Sequence, residues 1–503
     1  MLTSFKNLKK FQLSEYILLA LFAFSLPFSW RIATYVMMAL FANVFLKGVF
    51  EEGFNLNPLQ YKHKLIYLIF IAFWAIYAIS FLYSENSVEA RVQIGKKLPF
   101  LLFPLFFLFS NLSYLTKDRV RTIMYCFVIG ILTLFVVNLV WAGYDVLFRD
   151  YNITRITSPH RFFKSDDVFL MPMHRAHFSL FTCLALVFCF VELFSSRLLR
   201  TKIFNGISLL MVTISPFFVT SRAGILCEIL VLFILWIWLT FVRKEKMIGM
   251  VTGITIIMML SVGYFSFPKT IDRFTKAITR VKEGKGDIRL TLRNSCRYAI
   301  VENFVFGVGA GDRCDETMKA YRKYRKDIIS NIKPLANADL DDFEQNRKSL
   351  LDSIDKKYNN EYTDRVYAYA ESLSEPLGCD YNSVKENLAE YQIIDHTIKY
   401  ELNAHNQFSD TIIAVGLMGL ILLILFFVYP VYLWIKNKNF DVVFFSLLII
   451  IAFNSLFESV FERQMGIMFF VFFYFLLFHG NFCQQTTDNS QQTLSNLKIK
   501  FLK

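Results

Sequence analysis

The sequence predicts an all-α polytopic membrane protein with about twelve transmembrane helices. Three observations carry this. Of 503 residues, 55% are hydrophobic and 19% charged, with 56 Phe, where soluble domains sit near about 45–50% apolar and about 25% charged. Mean hydropathy is +0.42, which excludes an ordinary soluble enzyme, a disordered chain and a disulfide-rich secreted domain. Apolar runs recur at lengths close to the roughly 20 residues that a helix needs to cross a bilayer.

The runs lie near 14–30, 32–48, 65–83, 97–112, 121–147, 176–195, 203–220, 222–242, 247–267, 407–435, 441–457 and 465–482. The N-terminal lysines Lys6, Lys9 and Lys10 before the first run imitate a signal peptide. No small-residue cleavage site follows, and Pro27, Trp30 and Arg31 lead into the second run, so an uncleaved first span is expected. Pro99 and Pro104 interrupt the fourth run, and only Thr220 and Ser221 separate the seventh from the eighth.

Orientation follows from the short loops. With the N-terminus inside, the inside segments hold twenty Lys/Arg against eleven in the short outside loops. That bias places both termini in the cytoplasm and accounts for most of the net charge of +13. A nucleic-acid partner is not expected. Of the eight Cys, Cys126, Cys183, Cys189 and Cys227 lie in apolar runs and read as small packing residues. No CxxC or Cys/His spacing implies a structural zinc site, and neither metal nor cofactor is expected.

Residues 1–267 therefore hold nine spans, 268–406 form a large outward loop, and 407–503 hold three spans and a tail. The loop begins with a basic part, 268–329, of net +7, and continues into an acidic insertion, 330–404, of net −7. The insertion has helix-forming composition and reads as a lid or docking element. Its Asp339-Leu340-Asp341-Asp342 run reads as a solvated helix face. A Cys314–Cys379 bridge could staple the insertion, since outward cysteines face an oxidising compartment.

Polar candidates gather at the outward ends of spans, and few charges lie within them. Ser221-Arg222 opens span eight; the plainer reading of Arg222 is a snorkelling interface arginine. Arg289-Leu290-Thr291-Leu292-Arg293 precedes Gly307-Val308-Gly309-Ala310-Gly311-Asp312, whose alternate glycines allow sharp turns and close backbone approach. His405 and Asn406 open span ten, where a neutral imidazole can accept a proton. Gly416 and Gly419 read as close helix packing. His174, Arg175 and His177 open span six, and Glu458, Glu462 and Arg463 flank the last outward turn, placed to pair with those bases.

Ser221-Arg222, the Arg289 segment followed by the alternate glycines, and Ala404-His405-Asn406-Gln407-Phe408 running into Gly416 resemble the O-antigen ligase family. Twelve spans, cytoplasmic termini and a large loop between spans nine and ten resemble it too. The resemblance implies a type-C glycosyltransferase-like architecture in the bacterial inner membrane, with a periplasmic active site. The donor would be a glycan on undecaprenyl pyrophosphate, and the acceptor a lipid A–core sugar or another glycan. Arg222 and Arg289 would clamp the pyrophosphate, and His405 would be the general base of a metal-independent, inverting transfer. Position 293 is Arg where the family often has an aromatic residue, so Arg293 stands beside Arg289 as a candidate. His174, Arg175, His177, Asn406 and Glu458 are secondary candidates. A monomer in contact with membrane lipid is expected. An O-antigen polymerase stays open, as do, further off, a protein O-oligosaccharyltransferase and a transporter.

Overall fold

The computed structural model of the protein describes residues 10–52, 63–110, 112–148, 175–219, 221–250, 288–331, 404–438 and 440–483, with isolated positions at 252, 253, 261, 275, 394 and 398. Among these residues the chain is helical and has no strand. Eight helices are long and apolar enough to cross a membrane. Lys64–Ser80 and Val442–Ser455 are apolar but shorter. The chain is a multi-pass membrane protein. Most of the expected ninth span, the acidic insertion with Asp339 to Asp342, Cys379 and His174 lie outside the described residues.

In chain order the helices are α1 (Lys10–Ser25), α2 (Trp30–Lys47), α3 (Lys64–Ser80), α4 (Ser87–Lys96), α5 (Pro99–Phe109), α6 (Lys117–Phe148), α7 (Arg175–Ser195), α8 (Leu199–Val219) and α9 (Arg222–Ile237). There follow α10 (Ile288–Glu302), α11 (Arg313–Asn331), α12 (Gln407–Asn437), α13 (Val442–Ser455) and α14 (Gln464–Phe478). Helix starts are chemically marked. Ser29, Asn86, Ser221, Asn406 and Asp441 each cap a helix by accepting a backbone N–H of its first turn, which satisfies a donor that has no intrahelical partner. Pro99 starts α5, where its missing N–H costs nothing.

The abundant phenylalanine has a place. A helix that is apolar all round must be enclosed, and α14 is buried from Met465 to Phe478. Phe470, Tyr474 and Phe475 of α14 contact Phe70 of α3, which stacks on Phe426 of α12 at 4.0 Å between ring centres. Phe100 of α5 joins the same cluster.

Charges inside the bundle are more numerous than the hydropathy pattern predicts. Glu15 faces Lys47 at 3.7 Å. Glu192 accepts from Arg121 at 2.9 Å and from the Tyr125 hydroxyl at 3.2 Å. Glu228 is enclosed on α9, facing Thr213 of α8. The first two sites lie at the ends of helices opposite to those that carry His177 and His405.

Outside the apolar bundle, α10 and α11 pack on each other through Leu292, Cys296, Ala299, Met318 and Tyr321. A glycine clasp ties this pair to the spans. The Val308 N–H donates to the Ile413 carbonyl at 2.8 Å and the Gly309 N–H to the Ala414 carbonyl at 2.9 Å. In return, the Leu417 N–H donates to the Val305 carbonyl at 3.2 Å. The Ala310 and Gly311 N–H groups donate to the Ser80 and Ser84 hydroxyls at 3.1 and 3.2 Å. The Asp312 carboxylate accepts from the Glu85 and Asn86 N–H groups, each at 2.7 Å. This requires φ of +72° at Gly307, +102° at Gly309 and +68° at Gly416, values that side chains other than hydrogen disfavour. Gly416 is thus a kink that frees carbonyls for strand-like pairing, and not the helix-packing glycine expected from its spacing to Gly419.

Gly309→Ala should lower the thermal stability of the detergent-solubilised protein by about 1–3 kcal/mol, because a Cβ there would overlap Ser84. Gly95→Ala, where nothing lies within 4 Å of the new carbon, should leave the melting temperature unchanged or raised. Equal melting temperatures for the two variants would remove the clasp's stabilising role.

Candidate functional site

Two segments meet at one end of the bundle. The first, Ala404 to Thr411, leads into α12. The second, Asn454 to Arg463, joins α13 to α14. Four side-chain contacts stitch them. His405 Nδ1 lies 3.1 Å from a Glu458 oxygen. The Asn406 amide donates to the Leu456 carbonyl at 3.2 Å while its oxygen caps α12 at Ser409. Gln407 accepts from the Phe461 N–H at 2.6 Å. The Ser459 hydroxyl donates to Asp410.

His405 stands at φ +47°, in the left-handed region where His is among the tolerated residues. Its side chain is 31% exposed and that of Glu458 18%, so the pair is half-shielded from water. With Glu458 accepting from Nδ1–H, the tautomer is set and Nε2 keeps its lone pair. The pair borders a cavity of about 60 Å³ that His177, Glu462 and Arg463 also line. His177 comes from the first turn of α7 and is buried.

Beneath this cavity lies a cluster of four buried charges. The Arg313 guanidinium donates to Asp410 and to Glu462, each at 2.6 Å. Lys97 Nζ lies 3.7 Å from the other Glu462 oxygen and 4.5 Å from the centre of the Tyr77 ring. Side-chain exposures are 6% for Arg313, 1% for Asp410 and 11% for Glu462. Burial works to discharge Arg313, but the Glu462 and Asp410 carboxylates outweigh it and hold the guanidinium charged. Burial alone would raise the Glu462 pKa, but Arg313 and Lys97 outweigh it and hold the carboxyl below the usual carboxylate range.

Of the expected site residues, His405, Asn406, His177 and Glu458 come together. Glu458 partners His405 and lines the same cavity as His177. Arg222 lies at the same end of the bundle: its neighbour Ser221 caps α9 by accepting from the Gly224 N–H at 3.2 Å, and Gly224 packs on Ser179, two residues beyond His177. Arg222 and Arg293 are not among the described residues lining the cavity. Arg293 is exposed on α10. Arg289 falls in the first turn of α10 and Arg175 opens α7, but their side chains lie outside the described residues, as does all of His174. The expected approach of Arg222 to Arg289 is therefore outside the description as well. Cys314 is a free, exposed thiol, 3.3 Å from Arg313.

Arg313, Asp410 and Lys97 were not among the sequence candidates. One signal pointed to Arg313: it follows the glycine run directly, so whatever fixes that backbone fixes the arginine. A second, open cleft of about 530 Å³ lies between α10 and α11, bordered by Arg297, Tyr298, Lys323 and Tyr324. No protein-family model matches the chain, and no curated protein matches it.

Glu462→Gln should destabilise the fold by about 3–5 kcal/mol, the usual cost of breaking a buried pair from one side. Lys323→Gln, which removes an exposed pair with Glu302, should leave the melting temperature unchanged. Differential scanning fluorimetry in one detergent compares them; a silent Glu462→Gln would mean that the cluster is wet.

Proposed function

We propose that the protein is a membrane glycosyltransferase of the O-antigen ligase kind, with about twelve spans. On this reading it moves a glycan from undecaprenyl pyrophosphate to a lipid A–core sugar at the periplasmic face of the bacterial inner membrane. The observation that carries the reading is the carboxylate-backed imidazole of His405, 3.1 Å from Glu458, at the end of an apolar bundle. A general base must stand where a water-soluble acceptor and a lipid-held donor can meet, and a helix start at the bundle end meets that need.

The chemistry balances without a redox partner. His405 Nε2 takes the proton of the acceptor hydroxyl. The oxygen forms a bond to the anomeric carbon as the bond to pyrophosphate breaks, inverting that centre. Glu458 stabilises the imidazolium that forms. Undecaprenyl pyrophosphate leaves with the electron pair. Guanidinium groups suit that developing charge because their planar fork matches phosphate oxygens. Arg222 and Arg289 remain the proposed clamp, and Arg463, which lines the His405 cavity, joins them. A polymerase would use the same geometry with a second lipid-linked glycan as acceptor.

His405→Ala should lower transfer by about 10²–10⁴-fold, the range for general-base catalysis, in membranes supplied with lipid-linked glycan and lipid A–core. His405→Gln should fail equally, because Gln donates and accepts but takes no proton. Near-normal turnover in either variant would sink the assignment. In a deletion strain, polymer accumulating on the lipid carrier distinguishes a ligase from a polymerase, whose loss removes the polymer itself.

Sidedness has its own test. Cys296 is fully enclosed and out of reach of a reagent, whereas Cys314 is exposed. In a Cys379→Ser background, a membrane-impermeant maleimide should label Cys314 in intact spheroplasts. Labelling of Cys314 only after lysis would place this end in the cytoplasm.

A further inference from the structure

We propose that Arg313 is a positioning residue for the His405–Glu458 pair. Resting on the reading of His405 as the base, this goes beyond it by assigning a role to a group that touches neither reactant.

The geometry is specific. Asp410 is five residues past His405, on the helix that His405 opens. Glu462 is four residues past Glu458, on the same turn. The Arg313 fork spans the two segments, with one nitrogen on Asp410 and the other on Glu462, each at 2.6 Å. Removing the fork leaves two carboxylates on facing segments, and like charges in a shielded site repel strongly. Lys97 cannot take over, because its ammonium already pairs with Glu462 at 3.7 Å and is a single positive charge against two carboxylates. The repulsion would therefore push apart the two segments that carry His405 and Glu458.

Arg313 is itself held from outside the site. It starts α11 directly after Asp312, whose carboxylate is fixed by the Glu85 and Asn86 N–H groups. Arg313 thus adds, to the backbone clasp on α12, a side-chain link from α11 to both segments of the dyad.

The test uses the full-length protein in lipid nanodiscs, with transfer kinetics and a cryo-EM structure of each variant. Arg313→Met should lower kcat on the order of 10²-fold, as a displacement near 1 Å in a catalytic group does, with the donor KM little changed. The His405–Glu458 distance should open past about 4 Å, beyond hydrogen bonding. Asp410→Asn added to Arg313→Met removes the repelling charge and restores charge balance with Lys97 and Glu462. It should recover at least about tenfold in kcat, a gain that a merely structural role does not produce. If Arg313→Met does not fold, the charge-balanced double variant decides the matter: a closed dyad with kcat above about a tenth of wild type supports the role, and an open dyad overturns it. Wild-type kcat or an unchanged distance in a folded Arg313→Met also overturns it. An active His405→Ala would defeat the base reading instead, and the measured distance would still report on Arg313.

Discussion

The cluster of Lys97, Glu462, Arg313 and Asp410 is the constraint on which the His405 end of the bundle depends. Its formal charges cancel, which is the condition for enclosing four ions. Desolvating them costs several kcal/mol per ion, and their attraction offsets this only with good geometry. The two 2.6 Å bonds of Arg313 and the Ser459 hydroxyl on Asp410 supply that geometry. Such clusters contribute little net stability compared with apolar packing, so what this one adds is register. It joins the α4–α5 junction, the start of α11, the first turn of α12 and the turn before α14. Those last two segments carry His405 and Glu458.

The glycine clasp is the upstream part of the same device. Alternate glycines let residues 307–311 run against the kink at Gly416, against Ser80 at the end of α3 and against Ser84 just beyond it. Any Cβ at Gly307 or Gly416 would meet backbone atoms. The chain leaves this clasp at Asp312 and enters α11 at Arg313, so backbone contacts set where the guanidinium starts. Short-range conformational freedom at glycine thus becomes long-range placement of a charge.

The eight helices long and apolar enough to cross a membrane were legible because hydropathy acts through about twenty consecutive residues and needs no knowledge of partners. The glycine run was legible as a site of close approach, and His405 and Glu458 as separate polar groups at span ends. What sequence could not reveal were the pairings. His405 and Glu458 are 53 residues apart, and Arg313 and Glu462 are 149 apart. Within a loop of net +7, Arg313 looks like any solvated arginine, because burial is a property of the assembled bundle. Glu192 and Glu15 were overlooked for a related reason: one carboxylate in an apolar run barely changes its average, yet in the fold each finds a cation from a neighbouring helix. The centrality of α14 is an intermediate case. Its apolarity all round was readable, but not that α3, α5 and α12 surround it.

The backbone of His405 adds a last physical point. A left-handed conformation at a residue with a side chain costs on the order of 1–3 kcal/mol and persists only when its surroundings over-determine it. Here they do. Ala404 before it is buried against α10 and α11, and Asn406 after it is fixed twice, by the α12 cap and by Leu456. With both neighbours held, the backbone turns at His405 and directs the ring to Glu458. An ordinary solvated interface histidine needs none of this, since its side chain can reach water from an unstrained backbone. Transport chemistry would draw on ionisable groups near the middle of the spans. Glu228 is the nearest to that description, yet it lies six residues into α9 from Arg222, about 9 Å along the axis, in the half of the bundle that faces the site. The strain, the stitched segments and the charge cluster all converge on one end of the bundle, where the proposed reaction between a lipid-held and a water-borne partner would take place.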